Sequence, residues 1–498
     1  MIDYSEKTNG SGSISLMKWF IVGIFLAGWY LLSIYVGEGN IPFALAIACL
    51  PAIFLFIGLF IHKPVILFVI LFSVNYIIMG LGRYISIPLP VSVLMDLLYL
   101  TTLATLLVNC LMGKMSTSQL GTGILFIYLI WVIYCLLQAF NETCGLGFDF
   151  VSWFREVRPY AFHTIYIILI FSLLIRKTNH IKWFLYLWAF FTLLAAAKGY
   201  WQRNRGFDTQ EMIWLLTAGA RTHFLVTGIR YFSFFSDAAN FGSNMAFCVT
   251  TFGIATLMTR RWWEKIYFGI TTIGAGYGML ISGTRSAVFV AIIGVAMSVV
   301  LSKNFKLFCV SSVVLIAFVG MLKFTLIGDN NPMIHRMRTA FDPEDASLAV
   351  RTANKKAMRS YMNEIPWGIG LGRGEGNVPN NNKYYLVATT PPDSTLVYIW
   401  VRTGIIGIIL YMFLFVATMA GGAYIILFKI KDKELRSLLT AMLCGAASMM
   451  VAGYGNEVYT QYPNPLLIFG CETIVYLGPY IDKRIAQEKK EKEELAHE

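Results

Sequence analysis

Long apolar runs, each near the length of a membrane-crossing helix, constrain this chain more than any other feature. They fall near 17–36, 41–61, 64–82, 91–112, 121–140, 161–176, 183–200, 238–258, 266–282, 287–302, 306–327, 394–427, 436–456 and 462–480. About twenty apolar residues rising 1.5 Å each cross a hydrocarbon core of about 30 Å. Continuous runs of that length specify helices, because the strands of a membrane barrel are about ten residues of alternating pattern. Composition agrees: 57% of the residues are AVILMFWYC and only 14% are charged. Soluble domains carry roughly 45–50% and about 25%. The same figures exclude disordered, collagen-like and disulfide-rich classes. The chain is therefore expected to be an all-α polytopic membrane protein of about 12–14 transmembrane helices.

Charge orients the spans. The formal net charge is +12, but Lys and Arg in a membrane protein first serve orientation, collecting in cytoplasmic loops. No nucleic-acid partner is inferred from it. His62-Lys63, Lys114, Arg176-Lys177 with Lys182, Arg260-Arg261 with Lys265, Lys303 with Lys306, and Lys429 to Arg436 share one side. The Lys/Glu-rich tail shares it too, so that side is assigned to the cytoplasm with both termini on it. No small-residue cleavage site follows the polar start, and the first span is read as retained. Four regions result: 1–327 with helices 1–11 and short loops, 328–393 as one large outer loop, 394–480 with helices 12–14, and 481–498 as a charged cytoplasmic tail. Seven of the eight cysteines lie inside apolar stretches, with neither a disulfide framework nor metal-ligand spacing. No metal and no cofactor are expected.

On the opposite side the usual rule fails. Arg83, Arg155, Arg158, Arg203, Arg205, Arg221, Arg230, Arg285, Arg336, Arg338, Arg351, Arg359 and Arg373 all map to the outer side or its edge, whereas lysines there are few. Arg stays charged and offers a planar fork matched to phosphate oxygens, which the compact, strongly hydrated Lys does not. Outer-facing Arg in such number suggests capture of a phosphate-bearing, lipid-held ligand. The loop over 328–393 is too long to be a mere connector. Its segment Ile365–Gly376 reads I-P-W-G-I-G-L-G-R-G-E-G. Without a strand before it and a helix after it this is no nucleotide fingerprint, and it reads as a tight backbone crossing that folds the loop onto the membrane surface. Asp393 opens the next span, either as a helix N-cap or as a carboxylate facing the Arg field. Asp96 and Arg402 lie inside spans, where a lone charge is costly, and are expected to pair with one another or with backbone groups.

The large outer loop, then Asp393-Ser394, nine residues and Gly404-Ile405-Ile406-Gly407 resembles the O-antigen ligase and O-antigen polymerase family. That family carries His-Asn or similar where this chain has Asp393-Ser394. Further similarities are Arg359 followed after ten residues by Gly370, the element Ser282-Gly283-Thr284-Arg285-Ser286-Ala287 at an outer helix end, and R-Y-F-S-F-F-S-D-A-A-N from Arg230 to Asn240. Together they cover about 220–410. The resemblance implies a glycosyltransferase C-like fold in the bacterial inner membrane. It implies metal-independent, inverting transfer of a glycan from undecaprenyl pyrophosphate to a hydroxyl of lipid A–core at the periplasmic face, among membrane lipids. Polymerase or protein O-oligosaccharyltransferase activity is the neighbouring alternative, and a polysaccharide flippase the alternative of another class. Arg230 and Arg285, helped by Arg221, would hold the pyrophosphate. Arg351 and Arg359 would be contacts from the loop, and Asp393 would stand in the place of the family's His as base.

The orientation is directly testable. A cysteine placed at Asn381, in a chain with its native cysteines replaced, is expected to react with an impermeant maleimide in intact cells. Labelling only after permeabilisation would reverse the assignment.

Overall fold

The computed structural model describes residues 58–85, 90–225, 228–301, 305–327, 332–339 and 346–497, with isolated positions before residue 58. The expected spans near 17–36 and 41–61 lie outside this set, apart from those isolated positions. Two compact units separate, Met1–Leu67 and Phe68–Glu498, and the second carries everything discussed below.

The helices are α1 (Pro64–Leu81), α2 (Val91–Leu111), α3 (Gly123–Leu137), α4 (Phe150–Val157), α5 (His163–Leu174), α6 (Thr178–Arg205), α7 (Thr209–Thr217) and α8 (Ala220–His223). They continue as α9 (Ala238–Met258), α10 (Trp262–Ile281), α11 (Ser286–Leu301), α12 (Phe305–Phe324), α13 (Pro332–Arg338), α14 (Ala346–Met362), α15 (Tyr385–Thr389), α16 (Thr395–Tyr424), α17 (Lys433–Gly455) and α18 (Asn464–His497). Among the described residues the only sheet is a two-residue hairpin, β1 (Phe224–Leu225) against β2 (Gly228–Ile229). Among the described residues eight helical segments are long and apolar enough to cross a membrane. The chain is an all-α polytopic membrane protein.

Burial sorts the spans. In α17 83% of the apolar window is buried inside the protein, whereas in α2 the share is 28%; α17 is central and α2 peripheral. Small residues let the central helices touch. A Cβ on Gly445 would lie 2.1 Å from the Thr251 hydroxyl, and one on Gly294 would lie 2.2 Å from Thr250 Cγ2. Close backbone approach of this kind is how helices associate where lipid supplies no hydrophobic drive. Peripheral helices show Leu97, Ile133, Ile409 and Phe413 on the outside, as lipid-facing residues should be.

One sequence expectation changes here. Residues 141–160 read as loop, yet helix begins at Phe150, capped by Asp149, and runs through a π-turn at Arg158–Phe162 into α5. The charge of Arg158 is tolerated because its guanidinium meets Asp96, which also accepts from His163. Asp96 and Arg402 are thus not each other's partners. Arg402 Nε instead lies 3.2 Å from Glu156 Oε2, and its Nη1 donates to the Arg373 carbonyl at 2.6 Å.

The glycine-rich loop does more than cross the surface. Inside α16, Gly404 takes φ 71° and ψ −170°, which breaks the helix. Ile406 N would reach Arg402 O in an unbroken helix; here it donates to Pro366 O at 3.2 Å. The Val401 and Arg402 carbonyls accept from Ile369 N and Gly370 N, each at 3.0 Å, and the Thr403 carbonyl accepts from the Tyr134 hydroxyl at 2.8 Å. The loop therefore enters the helix and pairs with it backbone to backbone. Gly404→Ala would place a Cβ 2.0 Å from Pro366 O at a positive φ. Overpacking and left-handed strain together predict a loss of about 2–4 kcal/mol, measurable as a lowered unfolding midpoint in detergent.

Candidate active site

The helix ends opposite Lys182 and its partners Glu264 and Glu434 carry the outer-side Arg residues of the sequence. Loop 206–237 packs there as a unit. Asp208 caps α7 through a capping box with Glu211, and Leu215, Phe232 and Ala238 bury together beneath Phe207 and Trp214. His223 Nε2 accepts from Ala238 N at 3.1 Å while Asp237 caps α9. Burial lowers the His223 pKa to about 4, so the ring stays neutral and keeps that bond. These contacts fix the chain leading into Arg230.

Arg230 reaches the turn between α10 and α11. Its Nε donates to Ser282 O at 3.0 Å, Nη1 to Thr222 O at 3.1 Å and Nη2 to Thr284 Oγ1 at 3.0 Å. All three acceptors are neutral. Burial pulls its pKa down to about 10; Asp237 pushes the other way, and the charges of Arg285 and Arg351 add to the lowering. It therefore remains a cation at neutral pH, with two of its five N–H groups still unspent. On the other side of Gly283, Arg336 Nε donates to Gly283 O at 2.6 Å. Arg230, Arg285, Arg336 and Arg351 thus gather around one turn. Arg221 lies exposed on α8, next to Thr222, and Arg359 lies exposed on α14, eight residues and about 12 Å beyond Arg351.

Asn456, which follows α17, ties this turn to the start of α16: its Nδ2 donates to Ser286 Oγ at 2.8 Å, and its carbonyl accepts from Thr395 N at 3.3 Å. Beside it opens a pocket lined by Arg351, Lys355, Asp393, Ser394, Val397 and Tyr454, among others. The side chain of Ser394 caps α16, accepting from Val397 N at 3.1 Å. Asp393 is therefore not the N-cap; it precedes the cap by one residue. Among the described residues no hydrogen bond or ion pair holds its carboxylate, which faces the pocket unspent. Arg351 packs near Gly455 and Ser286 and so stands between the Arg-lined turn and Asp393.

Behind the pocket lies a buried polar chain that the sequence did not reveal. Tyr398 stacks on Tyr160 with centroids 4.4 Å apart, Arg402 lies over Tyr398, and the Tyr160 hydroxyl donates to Glu457 at 2.6 Å. Burial raises the Glu457 pKa, partly offset by the Tyr160 and Thr460 hydroxyls. Arg402 is consumed in this chain and does not line the pocket. Lys355 and Tyr454 were missed as well. Lys355 stands on α14 one turn from Arg351, a spacing that could have flagged it, whereas Tyr454 comes from a helix some hundred residues further on.

Of the six groups expected at the site, Arg230, Arg285, Arg351 and Asp393 lie near one another on this face, while Arg221 and Arg359 stay at its margin. No curated protein matches the chain. Residues 270–412 match the family model described as O-antigen ligase, a segment that runs from within α10 through the Arg-lined turn, the glycine-rich loop and Asp393 past the break in α16, and this stretch of the chain is similar to that family.

Proposed function

We propose that the chain transfers a glycan from undecaprenyl pyrophosphate to a hydroxyl of lipid A–core at the periplasmic face of the bacterial inner membrane. The match to the O-antigen ligase family supports glycosyl transfer by a multi-pass membrane protein. The observation that carries the finer reading is the unspent Asp393 carboxylate in a pocket whose wall, Arg351, adjoins the turn gathered by Arg230. In the proposed step the acceptor oxygen bonds to the anomeric carbon as the bond from that carbon to the pyrophosphate oxygen breaks. Undecaprenyl pyrophosphate leaves with the electron pair, and the hydroxyl proton passes to Asp393. A single displacement inverts the anomeric centre. Arg230 and Arg285, with Arg221 at the margin and Arg351 and Arg359 from the large loop, bind the leaving pyrophosphate more strongly as charge develops on it, which lowers the barrier. No metal takes part in this proposal, and a chelator should leave the rate unchanged.

An ordinary Asp carboxylate, with pKa about 3.9, is a weaker base than an ordinary His at about 6.5. Asp393 acts as the hydroxyl acidifies in the transition state. A flippase would use the broken helix to line a substrate path at mid-membrane. Here the backbone groups freed at Gly404 are filled by the loop, which favours the transferase.

Since Ser394 supplies the cap, Asp393→Asn should leave expression and thermal stability intact. Turnover with a lipid-linked glycan and lipid A–core should fall by about a hundredfold or more. Ser394→Ala should do the reverse, costing about 1 kcal/mol of stability with turnover largely kept. Near-normal transfer in Asp393→Asn would remove that residue from the mechanism.

Arg285→Lys and Arg230→Lys each replace a planar fork by a point charge. Each should lower transfer by about one to two decades. Unchanged transfer and donor binding in both would refute the pyrophosphate site.

A further inference from the structure

Resting on that reading, we infer that the acceptor sugar bears an anionic group beside its reactive hydroxyl, and that Lys355 selects it, with Arg351 between that group and the pyrophosphate. Several partly buried cations elsewhere in the protein are neutralised by carboxylates. Arg402 meets Glu156, Arg158 meets Asp96, Lys182 meets Glu264 and Glu434, and Lys198 meets Glu211 and Asp208. The Arg and Lys of the pocket are treated differently. Among the described residues, neither Arg351 nor Lys355 has a carboxylate within ion-pairing distance, although Asp393 lines the same pocket. Lys355 Nζ instead lies 4.6 Å from the centre of the Tyr454 ring, itself 59% exposed. A cation over an aromatic face is held in place without its charge being cancelled. With one carboxylate and two cations the pocket is net positive. A neutral saccharide needs hydroxyl partners and an aromatic platform; two uncompensated cations match a phosphate or carboxylate on the ligand.

The same charges would also suit the donor's pyrophosphate, and position separates the two. Arg351 Nη1 lies 3.8 Å from where a Cβ on Gly455 would stand, a point that Ser286 of the Arg-lined turn also flanks, whereas Lys355 stands one helical turn further along α14, on the wall shared with Asp393 and Tyr454. A proton acceptor and its neighbouring cation fit the molecule that supplies the hydroxyl. An acceptor anion held there also orients that hydroxyl towards Asp393, so selection would act on the transition state and not on binding alone.

The test uses the full-length protein in nanodiscs, a synthetic oligosaccharide acceptor carrying one phosphate monoester, and the identical oligosaccharide without it. The phosphorylated form should have the higher kcat/KM by about tenfold or more. In Lys355→Gln that ratio should fall towards one, and in Lys355→Arg it should be largely retained. Equal kcat/KM for the two acceptors in the unaltered protein, with transfer occurring, would overturn the inference while leaving the transferase reading intact. Calorimetry without donor decides the case in which neither acceptor is glycosylated. Binding of the phosphorylated oligosaccharide that weakens in Lys355→Gln supports the acceptor pocket even if the proposed transfer fails. Absence of binding, or displacement of the oligosaccharide by undecaprenyl pyrophosphate alone, would assign the charges to the donor and overturn the inference.

Discussion

The break in α16 at Gly404 is the constraint around which the outer half of the protein is arranged. A helix opened within hydrocarbon exposes backbone groups that no water can satisfy, at several kcal/mol each. Here Pro366, Ile369, Gly370 and Tyr134 satisfy them. The loop between α14 and α16 is consequently anchored at its middle, and its two arms are held close to where they leave the helices. The helix α14 that leads into one arm carries Arg351; the other arm ends at Asp393. Glycine is required at Gly404 and Gly368 because a Cβ at either would strike backbone of the other segment. The glycines of this loop thus serve chain packing, and no nucleotide is needed to account for them.

A second theme is the contrast between spent and unspent charge. Most of the deeper cations of the outer half are tied down: Arg83 to the carbonyls of Phe235 and Ser236, Arg373 to that of Gly147, and Arg402 to Glu156. These contacts hold loops and spans in register, and they account for a share of the outer Arg excess with no ligand at all. Function is better sought in the groups that the protein leaves without partners in a concave place, Arg351, Lys355 and Asp393. Arg230 is intermediate. Its three bonds fix its plane against the α10–α11 turn, yet no carboxylate cancels its charge and part of its fork stays available.

Much of the fold was legible from the apolar runs, because in a bilayer a helix must satisfy its own backbone and so announces itself by length and composition alone. Boundaries were less so. The helix beginning at Phe150 reads as loop because Arg155, Glu156 and Arg158 interrupt the run, and nothing local says that Asp96 and Arg402 will neutralise two of them. The site was legible in part. Arg230, Arg285, Arg351 and Asp393 could be singled out by residue type, side of the membrane and motif order. Lys355 left only its helical spacing from Arg351 as a signal, and Tyr454 none, since a cation over an aromatic ring from another helix leaves no trace in local sequence.

The sequence by itself determined the class of fold and the resemblance of residues 270–412 to the O-antigen ligase family. Each of these follows from composition, period or motif order, properties that the chain carries before it folds. Tertiary structure decided which charges are spent. Asp393 is free because Ser394 caps the helix. Arg402 is occupied because Glu156 arrives from a distant helix, and Gly404 is tolerated because a loop some forty residues earlier in the chain fills the gap it opens. Those outcomes depend on contacts between segments far apart in the chain, and pairwise geometry of that kind is fixed only when the helices have packed.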